Sequence, residues 1–299
     1  MFKNAKIAVF SGLLLGAVWA TPKAIAQDIP AGLGSLAYDK QILRNLQPHK
    51  AIYEVSLKSS RNGSQILDVQ GDMLYEWHGS CEGWITNHRF KLLYSYADVG
   101  VVDITSDFSA YESYDGGLLQ FNSSRKRGNT APEQYRGEAD LAKGEASFKI
   151  PYGSKAILPE GTIFPVKHTL ELLQAAKDGQ RFVNADVYDG SDVDSLYEIN
   201  AFIGKSSGLR PDIKDRAQES GRNFDLSLLK NKKNSMRLAF FDAHEKTEDP
   251  AYEMSIDMHE NGIVSYMKVE YPDFTVEQKL KALEPIDWPD CSQKENEGS

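Results

Sequence analysis

The residues of this chain that could do chemistry gather around one short segment. His78 and Cys81 lie three residues apart in HGSC, and His88 follows in the next stretch. Two imidazoles and a thiolate are zinc ligands, but no fourth ligand is evident, and a disulfide at Cys81 would use the same sulfur. A disulfide would also remove the free thiol that a cysteine nucleophile needs. We therefore predict no metal site and no catalytic cysteine here.

Other catalytic signatures are missing from the sequence. There is no G-x-S-x-G nucleophile elbow and no G-x-x-x-x-G-K-[ST] phosphate loop. Carboxylates are numerous, but no pair has a spacing that marks a general acid and a general base. The sequence therefore predicts no catalytic residue and no cofactor.

The other histidines are expected to have structural roles. His168 heads a predicted helix and is expected to pack against or cap its first turn. His49 follows a proline and is expected to be a buried hydrogen-bonding group at the start of a strand. His244 and His259 are predicted to lie on the surface.

Extended strands are the elements that would position these residues. Met73, Tyr75 and Trp77 alternate with polar residues, and a second alternating run begins after the turn at His78–Gly83. A period of two is typical of half-buried antiparallel strands. In the second run the residues that share one face are Trp84, Thr86, His88, Phe90, Leu92 and Tyr94.

The same alternation, punctuated by turn signals, predicts about fourteen antiparallel strands along the chain. The segment HTLELLQAAKDG is the one convincing helix, and it ends at Gly179. We expect a helical turn or two in Leu36–Leu46, a long surface loop over Gly204–Arg222 and a strand over Asn223–Lys230. Alternating βαβ units are absent, which argues against a doubly wound fold. The predicted fold is mainly β, a curled open barrel that one short helix covers or plugs.

The N-terminus has the features of a secretory signal peptide. Lys3 and Lys6 precede the uncharged apolar run Ile7–Ala20, and Ala24–Ala26 supplies the small residues that signal peptidase requires. The alternative is an N-terminal membrane anchor, although the apolar run is shorter than a membrane span needs. We predict cleavage after residue 26, one domain over residues 27–299 with a loose C-terminal tail, and no later membrane span.

The charge of the chain excludes one class of partner. The formal net charge is −9, and residues 1–26 contain three lysines and no acid, so the exported chain is more acidic still. An acidic surface repels phosphate backbones, which argues against nucleic-acid binding.

Export also changes what is expected of the two cysteines, Cys81 and Cys291. Two thiols in an oxidising compartment usually pair, and the alternative is two unrelated free cysteines. A bridge would close a loop of about 210 residues and would contribute about 5 kcal/mol in the chain-entropy model.

A curled barrel encloses a concave interior that can bind a ligand. The chain has 14 tyrosines, 13 phenylalanines and four tryptophans, and some of these rings could line a pocket for an acyl chain or a hydrophobic peptide. The alternative is that the rings only fill the core. The candidate cavity or packing residues are Trp77, Trp84, Phe90 and His168.

Several segments together resemble one known family. The segments LQPHKAIYEVSL, GDMLYEWHGSCEGWITNHRF and LPEGTIFPVKHT, with a C-terminal cysteine, resemble the envelope-integrity protein B (EipB) family over roughly Leu36–Cys291. The resemblance implies a curled open barrel described as a β-spiral, a periplasmic location in a Gram-negative bacterium, and a disulfide between Cys81 and Cys291. It also implies a role in keeping the cell envelope intact, with other envelope proteins as partners, and no established enzymatic activity.

Three hypotheses for function follow from these expectations. The first is a non-enzymatic periplasmic protein that maintains envelope integrity by binding an envelope partner or a hydrophobic ligand. The second is a periplasmic carrier that binds a lipid or the acyl chain of a lipoprotein inside the barrel. The third is a hydrolase that acts on envelope components.

Overall fold

The computed structural model describes residues 29–220, 223–245 and 247–292. The predicted signal peptide and the tail after residue 292 lie outside these residues. The described residues form fourteen β-strands, four α-helices and one 3-10 helix. In chain order they are α1 (Ala31–Gly34), α2 (Lys40–Asn45), β1 (His49–Ser60), β2 (Ile66–Gly79), β3 (Gly83–Tyr96), β4 (Gly100–Ser113), β5 (Leu118–Arg127), β6 (Glu133–Asp140), β7 (Glu145–Ile150), β8 (Lys155–Ile157), α3 (Pro165–Lys177), β9 (Phe182–Tyr188), β10 (Leu196–Ser207), α4 (Ile213–Glu219), the 3-10 helix (Leu226–Leu229), β11 (Lys233–Asp242), β12 (Tyr252–His259), β13 (Val264–Glu270) and β14 (Phe274–Pro285).

All fourteen strands belong to one antiparallel sheet. Their order is β8-β7-β6-β5-β4-β3-β2-β1-β14-β13-β12-β11-β10-β9, so nearly every neighbour in the sheet is also a neighbour in sequence. The exception is β1, which pairs with β14 and so joins the two halves of the chain. The two edge strands, β8 and β9, do not pair with each other, and the sheet stays open. The prediction of a mainly β, open architecture is confirmed.

Contacts between distant strands show that this sheet curls on itself. The rings of Phe121 on β5 and Tyr188 on β9 have centroids 6.2 Å apart, although nine strands separate them in the sheet. The rings of Tyr94 on β3 and Phe274 on β14 also lie 6.2 Å apart. The gap between the two edges is spanned by the segment before α3, where Ile163 forms a parallel bridge with Val187.

The alternating residues of β2 and β3 that were predicted to share a face point to the inside of the curled sheet. Trp77 pairs with Thr86, Tyr75 with His88, and Met73 with Phe90. Residues directly opposite each other in an antiparallel pair point to the same side of the sheet, so this row forms one continuous inner wall.

Helix α3 fills part of the interior, as predicted. It begins with Pro165 at its first turn, where the missing N–H costs nothing, and buries Leu170, Leu172 and Leu173. These side chains belong to one cluster with buried residues of β10, β11 and β12. The helix therefore plugs the side of the barrel that lies against the C-terminal strands.

Two local predictions were wrong, and one strand was not predicted. The segment 204–222 is not only a loop, because it contains α4, whose Ile213 is buried with Leu229 against β14. Asn223–Lys230 is not a strand: Asp225 accepts a hydrogen bond from the Ser227 N–H, an arrangement that favours the observed 3-10 turn. The short strand β8 was not expected, and it keeps the number of strands at fourteen.

Candidate functional site

One end of the barrel is closed, and a disulfide lies at that end. Cys81 follows β2 and bonds to Cys291 after β14, with their Cα atoms 5.7 Å apart. Beside the bridge the rings of Trp77 and Trp84 stack with centroids 4.6 Å apart, and Trp288 lies 5.6 Å from Trp84. We call this region the closed end.

Glycine is required at one turn that meets this tryptophan layer. Gly262, between β12 and β13, has φ +85°, and a Cβ there would lie 2.9 Å from the ring of Trp77 and 3.7 Å from Leu46. Only glycine adopts that backbone angle without strain and leaves the ring its space. The β12–β13 turn therefore packs directly onto the closed end.

Above the closed end lies a cavity that we call the inner chamber. Its volume is about 320 Å³. Among the described residues that line it there is no Asp, Glu, Lys or Arg, and four of the six methionines of the chain border it. Thioether side chains are flexible and polarisable, so such a wall adapts to apolar guests of different shape. The lining residues include Met73, Met254, Met258, Met267, His49, Tyr53, Tyr75, Trp77, Val264 and Gln278.

A second cavity, which we call the outer chamber, adjoins the first. It has a volume of about 880 Å³ and is walled by seven aromatic rings. Its charged lining residues are Glu112, Asp189 and Arg125, of which Arg125 is exposed to solvent. The aromatic residues are Phe90, Tyr94, Phe108, Tyr197, Tyr252, Tyr271 and Phe274.

The two chambers share a set of wall residues, which we call the junction. Both are lined by Thr86, His88, Pro165, Val166 and Met254. The shared walls place the two chambers side by side, and the solvent-exposed Arg125 lines the outer one. An interior of this size and lining fits an apolar chain better than a compact polar substrate.

A buried carboxylate holds α3 at the junction. Glu112 on β4 is 3% exposed, and its two oxygens accept hydrogen bonds from the backbone N–H groups of Val166 (2.8 Å) and Lys167 (2.7 Å). These donors are free at a helix N-terminus and favour a negative charge. Burial nevertheless raises the pKa of Glu112 to about 7, against the opposing effect of these two hydrogen bonds.

The imidazoles that border the inner chamber are neutral at pH 7. Burial lowers the pKa of His49 to about 4 and that of His88 to about 4. His49 is 1% exposed, and its Nδ1 lies 2.8 Å from the carbonyl oxygen of Gln47. The inner chamber is therefore an uncharged space with a small number of polar atoms.

The four predicted cavity or packing residues have different positions. Trp77 lines the inner chamber and Phe90 the outer chamber. Trp84 is fully buried in the tryptophan layer, and His168 is buried on α3, so neither borders the chambers. Of the two predicted roles, cavity lining or packing, Trp84 and His168 therefore have the packing role.

Three histidines test the remaining predictions. His49 is buried and hydrogen-bonded at the start of β1, as expected, and His244 is exposed. The surface prediction for His259 was wrong: it is fully buried, with Nε2 3.0 Å from the Ser265 hydroxyl. Arg125 is part of β5 and borders the outer chamber.

Two classes of site are absent from the part of the chain that the structure describes. No three His, Cys, Asp or Glu side chains are grouped so that they could hold a metal ion. None of the helices formed by these residues is long and apolar enough to cross a membrane.

Comparison with known proteins places this architecture in a family. The model of the EipB-like family matches residues 40–287. The chain belongs to the EipB-like family. A curated relative, the cell envelope integrity protein EipB of Brucella abortus, is 29% identical over 261 residues, which are 86% of this chain and 90% of the relative.

A solved structure agrees with the fold. The crystal structure of a β-barrel-like protein of a domain of unknown function, from Brucella abortus, aligns with a TM-score of 0.72 and 27% sequence identity. The alignment covers 81% of this chain and 99% of that chain. The name of the curated EipB relative and the family membership support a role of this protein in the integrity of the cell envelope.

Proposed function

We propose that this protein acts in the periplasm as a non-enzymatic protein of envelope integrity, and that it does so by holding the apolar chain of an envelope lipid or lipoprotein inside its barrel. The observation that carries the proposal is the pair of adjoining chambers. Their walls are methionine and aromatic side chains, which offer an acyl chain a continuous apolar environment.

The electrostatics of the interior support a passive binding role over hydrolysis. Glu112 is the buried carboxylate at the junction, and both of its oxygens already accept N–H groups of α3. Movement of this carboxylate toward a substrate would break both of its bonds to the helix. This arrangement favours a structural role for Glu112, which is to fix the helix that forms one wall of both chambers.

Envelope proteins are the proposed partners, because a carrier must receive and deliver its ligand. Aliphatic side chains at the strand ends opposite the closed end favour such a contact: Leu67 is 62%, Val99 62% and Val101 65% exposed. Exposed apolar groups near the entrance of a hydrophobic cavity are typical of proteins that dock to exchange a ligand.

Native mass spectrometry tests the proposal. The protein is exported by its own leader in a Gram-negative host, purified from the periplasm and analysed for retained lipid. Met254 borders both chambers, so Met254→Trp is expected to fill the junction and to reduce retained lipid at least about tenfold. Ile157→Trp adds the same ring at an exposed position on β8, away from both chambers and from the exposed strand ends, and should retain lipid like the parent.

Thermal unfolding shows whether both variants are folded. Loss of lipid in a folded Met254→Trp protein, with retention in Ile157→Trp, supports the carrier proposal. A parent protein that retains no lipid and binds no long-chain fatty acid after purification would refute it. In that case the docking of an envelope protein through the exposed strand ends becomes the better hypothesis.

A further inference from the structure

Two polar atoms at the closed end of the inner chamber have no hydrogen-bond partner among the residues that the structure describes. They are Nε2 of His49 and Nε1 of Trp77, and both side chains line the chamber. His49 is 1% and Trp77 3% exposed, so the protein surface does not supply them with bulk water. A buried polar atom without a partner costs stability, and such atoms are rare unless a ligand or an ordered water satisfies them.

The hydrogen-bonding roles of the two atoms are fixed by the structure. Nδ1 of His49 contacts the carbonyl oxygen of Gln47, which can only accept, so Nδ1 carries the proton. In the neutral ring Nε2 is then an acceptor, whereas the indole Nε1–H of Trp77 is always a donor. The site therefore presents one acceptor and one donor.

The two side chains are neighbours, and their positions are held by the fold. His49 on β1 and Trp77 on β2 are directly paired in the sheet, and their ring centroids lie 6.1 Å apart in an edge arrangement. The stack on Trp84 fixes the indole, and the contact with Gln47 fixes the imidazole. A group that binds here must donate to one ring and accept from the other.

From this geometry we infer that the closed end binds the neutral hydroxyl of a long-chain amphiphile, which accepts from the Trp77 indole N–H and donates to His49 Nε2. A hydroxyl combines both roles in one oxygen. The inner chamber contains no charged lining residue among those described, so a carboxylate or an ammonium would enter it at a large desolvation cost. The charged end of such a ligand therefore stays in the outer chamber, beside the exposed Arg125.

This inference rests on the proposed function and names the ligand class. The test uses two ligands of the same chain length and charge, hexadecanoate and 16-hydroxyhexadecanoate, titrated by calorimetry into delipidated protein at pH 7. The parent is expected to bind the hydroxylated ligand about tenfold more tightly, because two otherwise unpaired buried groups become hydrogen-bonded.

Three variants locate the effect. His49→Phe and Trp77→Phe each remove one of the two polar atoms and keep an aromatic ring, so each should bring the ratio of the two affinities close to one. Gln278→Met is the matched control, because its unpartnered Oε1 lines the same chamber but the residue pairs with Val55, six positions along β1 from His49. It should change both affinities by the same factor.

Each result decides between the possibilities. Equal binding of the two ligands by the parent would overturn the inference and leave the proposed function standing, with water alone at the closed end. Loss of the preference in Gln278→Met but not in His49→Phe would overturn the assignment of the site. Binding of neither ligand would overturn both the inference and the proposed function.

Discussion

The two ends of the barrel are formed by opposite ends of the same strands, yet they have different chemistry. At the closed end β1, β2 and β3 meet the disulfide and the tryptophan layer, and Trp84 is 1% exposed. At the other end the strands carry Arg125, the half-buried Tyr94 and the exposed Val101. The inner chamber at the closed end has no charged lining residue among those described, whereas the open end is aromatic and carries the exposed Arg125.

The difference indicates that the two ends of the sheet contribute differently to ligand binding. Rigid packing fixes the positions of a few polar atoms, and such fixed atoms can discriminate between ligands. An open entrance walled by aromatic rings binds many apolar chains and confers little specificity. We therefore expect stability and ligand preference to depend on the closed end, and general affinity on the open end.

The largest expected effect comes from breaking the disulfide. Cys81→Ser should lower the melting temperature markedly in oxidising buffer, because the bridge joins residues 210 apart in the chain. The chain-entropy model sets the loss of stability at about 5 kcal/mol. Differential scanning calorimetry measures it. Reductant should bring the parent down to the level of the variant and leave the variant unchanged, and equal melting temperatures without reductant would contradict the role of the bridge.

The next effect is a pH dependence that originates at the junction. His88 has a folded-state pKa of about 4, below its ordinary value of 6.5, because burial disfavours its charged form. Its contribution to stability is therefore complete above pH 6.5 and is lost as the pH falls toward 4. His49 and His168 act in the same direction, with pKa values also lowered to about 4. Glu112, raised from 4.5 to about 7, acts in the opposite direction, and its contribution is lost as the pH rises from 4.5 to 7.

Urea unfolding at several pH values between 7 and 4.5 measures the contribution of His88. Burial also lowers the pKa of His259 and raises the pKa values of Glu171, Asp189 and Asp192, so the pH slope of the variant is compared with that of the parent. His88→Phe should reduce the slope by up to about one proton, or about 1.4 kcal/mol per pH unit. His244→Phe replaces an exposed imidazole and serves as the control. An unchanged slope in His88→Phe would mean that His88 is hydrated in the folded protein.

Particular residues show why sequence reasoning found the fold more fully than the site. The alternation in β2 and β3 was enough to place Met73, Tyr75 and Trp77 on one inner face. Periodicity reports which residues share a face, and antiparallel neighbours follow the chain order. It does not report how the sheet curls, so nothing in the sequence brought Met254 on β12 next to His88 on β3.

The same limit explains the errors. His259 was predicted to lie on the surface because it ends an alternating strand. In the structure the segment between β10 and β11 folds back, so that the carbonyl oxygen of Asn231 contacts its ring. Trp77 and Trp84 were found as candidates because both are aromatic. Only the stacked geometry shows that the first lines the chamber and the second supports it. Such distinctions depend on contacts between residues far apart in the chain.

A smaller effect compares two glycine turns at opposite ends. Gly262 at the closed end has φ +85°, and its added Cβ would meet Trp77, whose ring is held by Trp84. Gly63, in the turn between β1 and β2 at the open end, has φ +89° and no neighbouring atom within 4 Å of an added Cβ. Gly262→Ala should lower the free energy of unfolding by about 2 kcal/mol and Gly63→Ala by about 1 kcal/mol. Only the first substitution adds a steric clash with a neighbouring side chain to the backbone strain.

Chemical denaturation of the two glycine variants measures the difference. Equal losses of unfolding free energy in the two variants would show that the tryptophan layer can shift to admit a methyl group. The contrast between a tightly packed closed end and a loosely packed open end would then be wrong. Tryptophan fluorescence gives a second readout, because Gly262→Ala should change the environment of Trp77. Gly63→Ala, distant from the tryptophans, should leave the spectrum as it is in the parent.

The smallest expected effect concerns Arg125 at the open end. Because this side chain is exposed, its attraction for a ligand carboxylate is screened, and Arg125→Gln should weaken hexadecanoate binding only about two- to threefold at low salt. The hydroxylated ligand carries the same carboxylate and should lose affinity by the same factor, so the preference between the two ligands should not change. This outcome is the converse of His49→Phe, which should remove the preference. If Arg125→Gln altered the preference instead, the hydroxyl and the carboxylate would have to bind at the same end, and the separation of specificity from general affinity would fail.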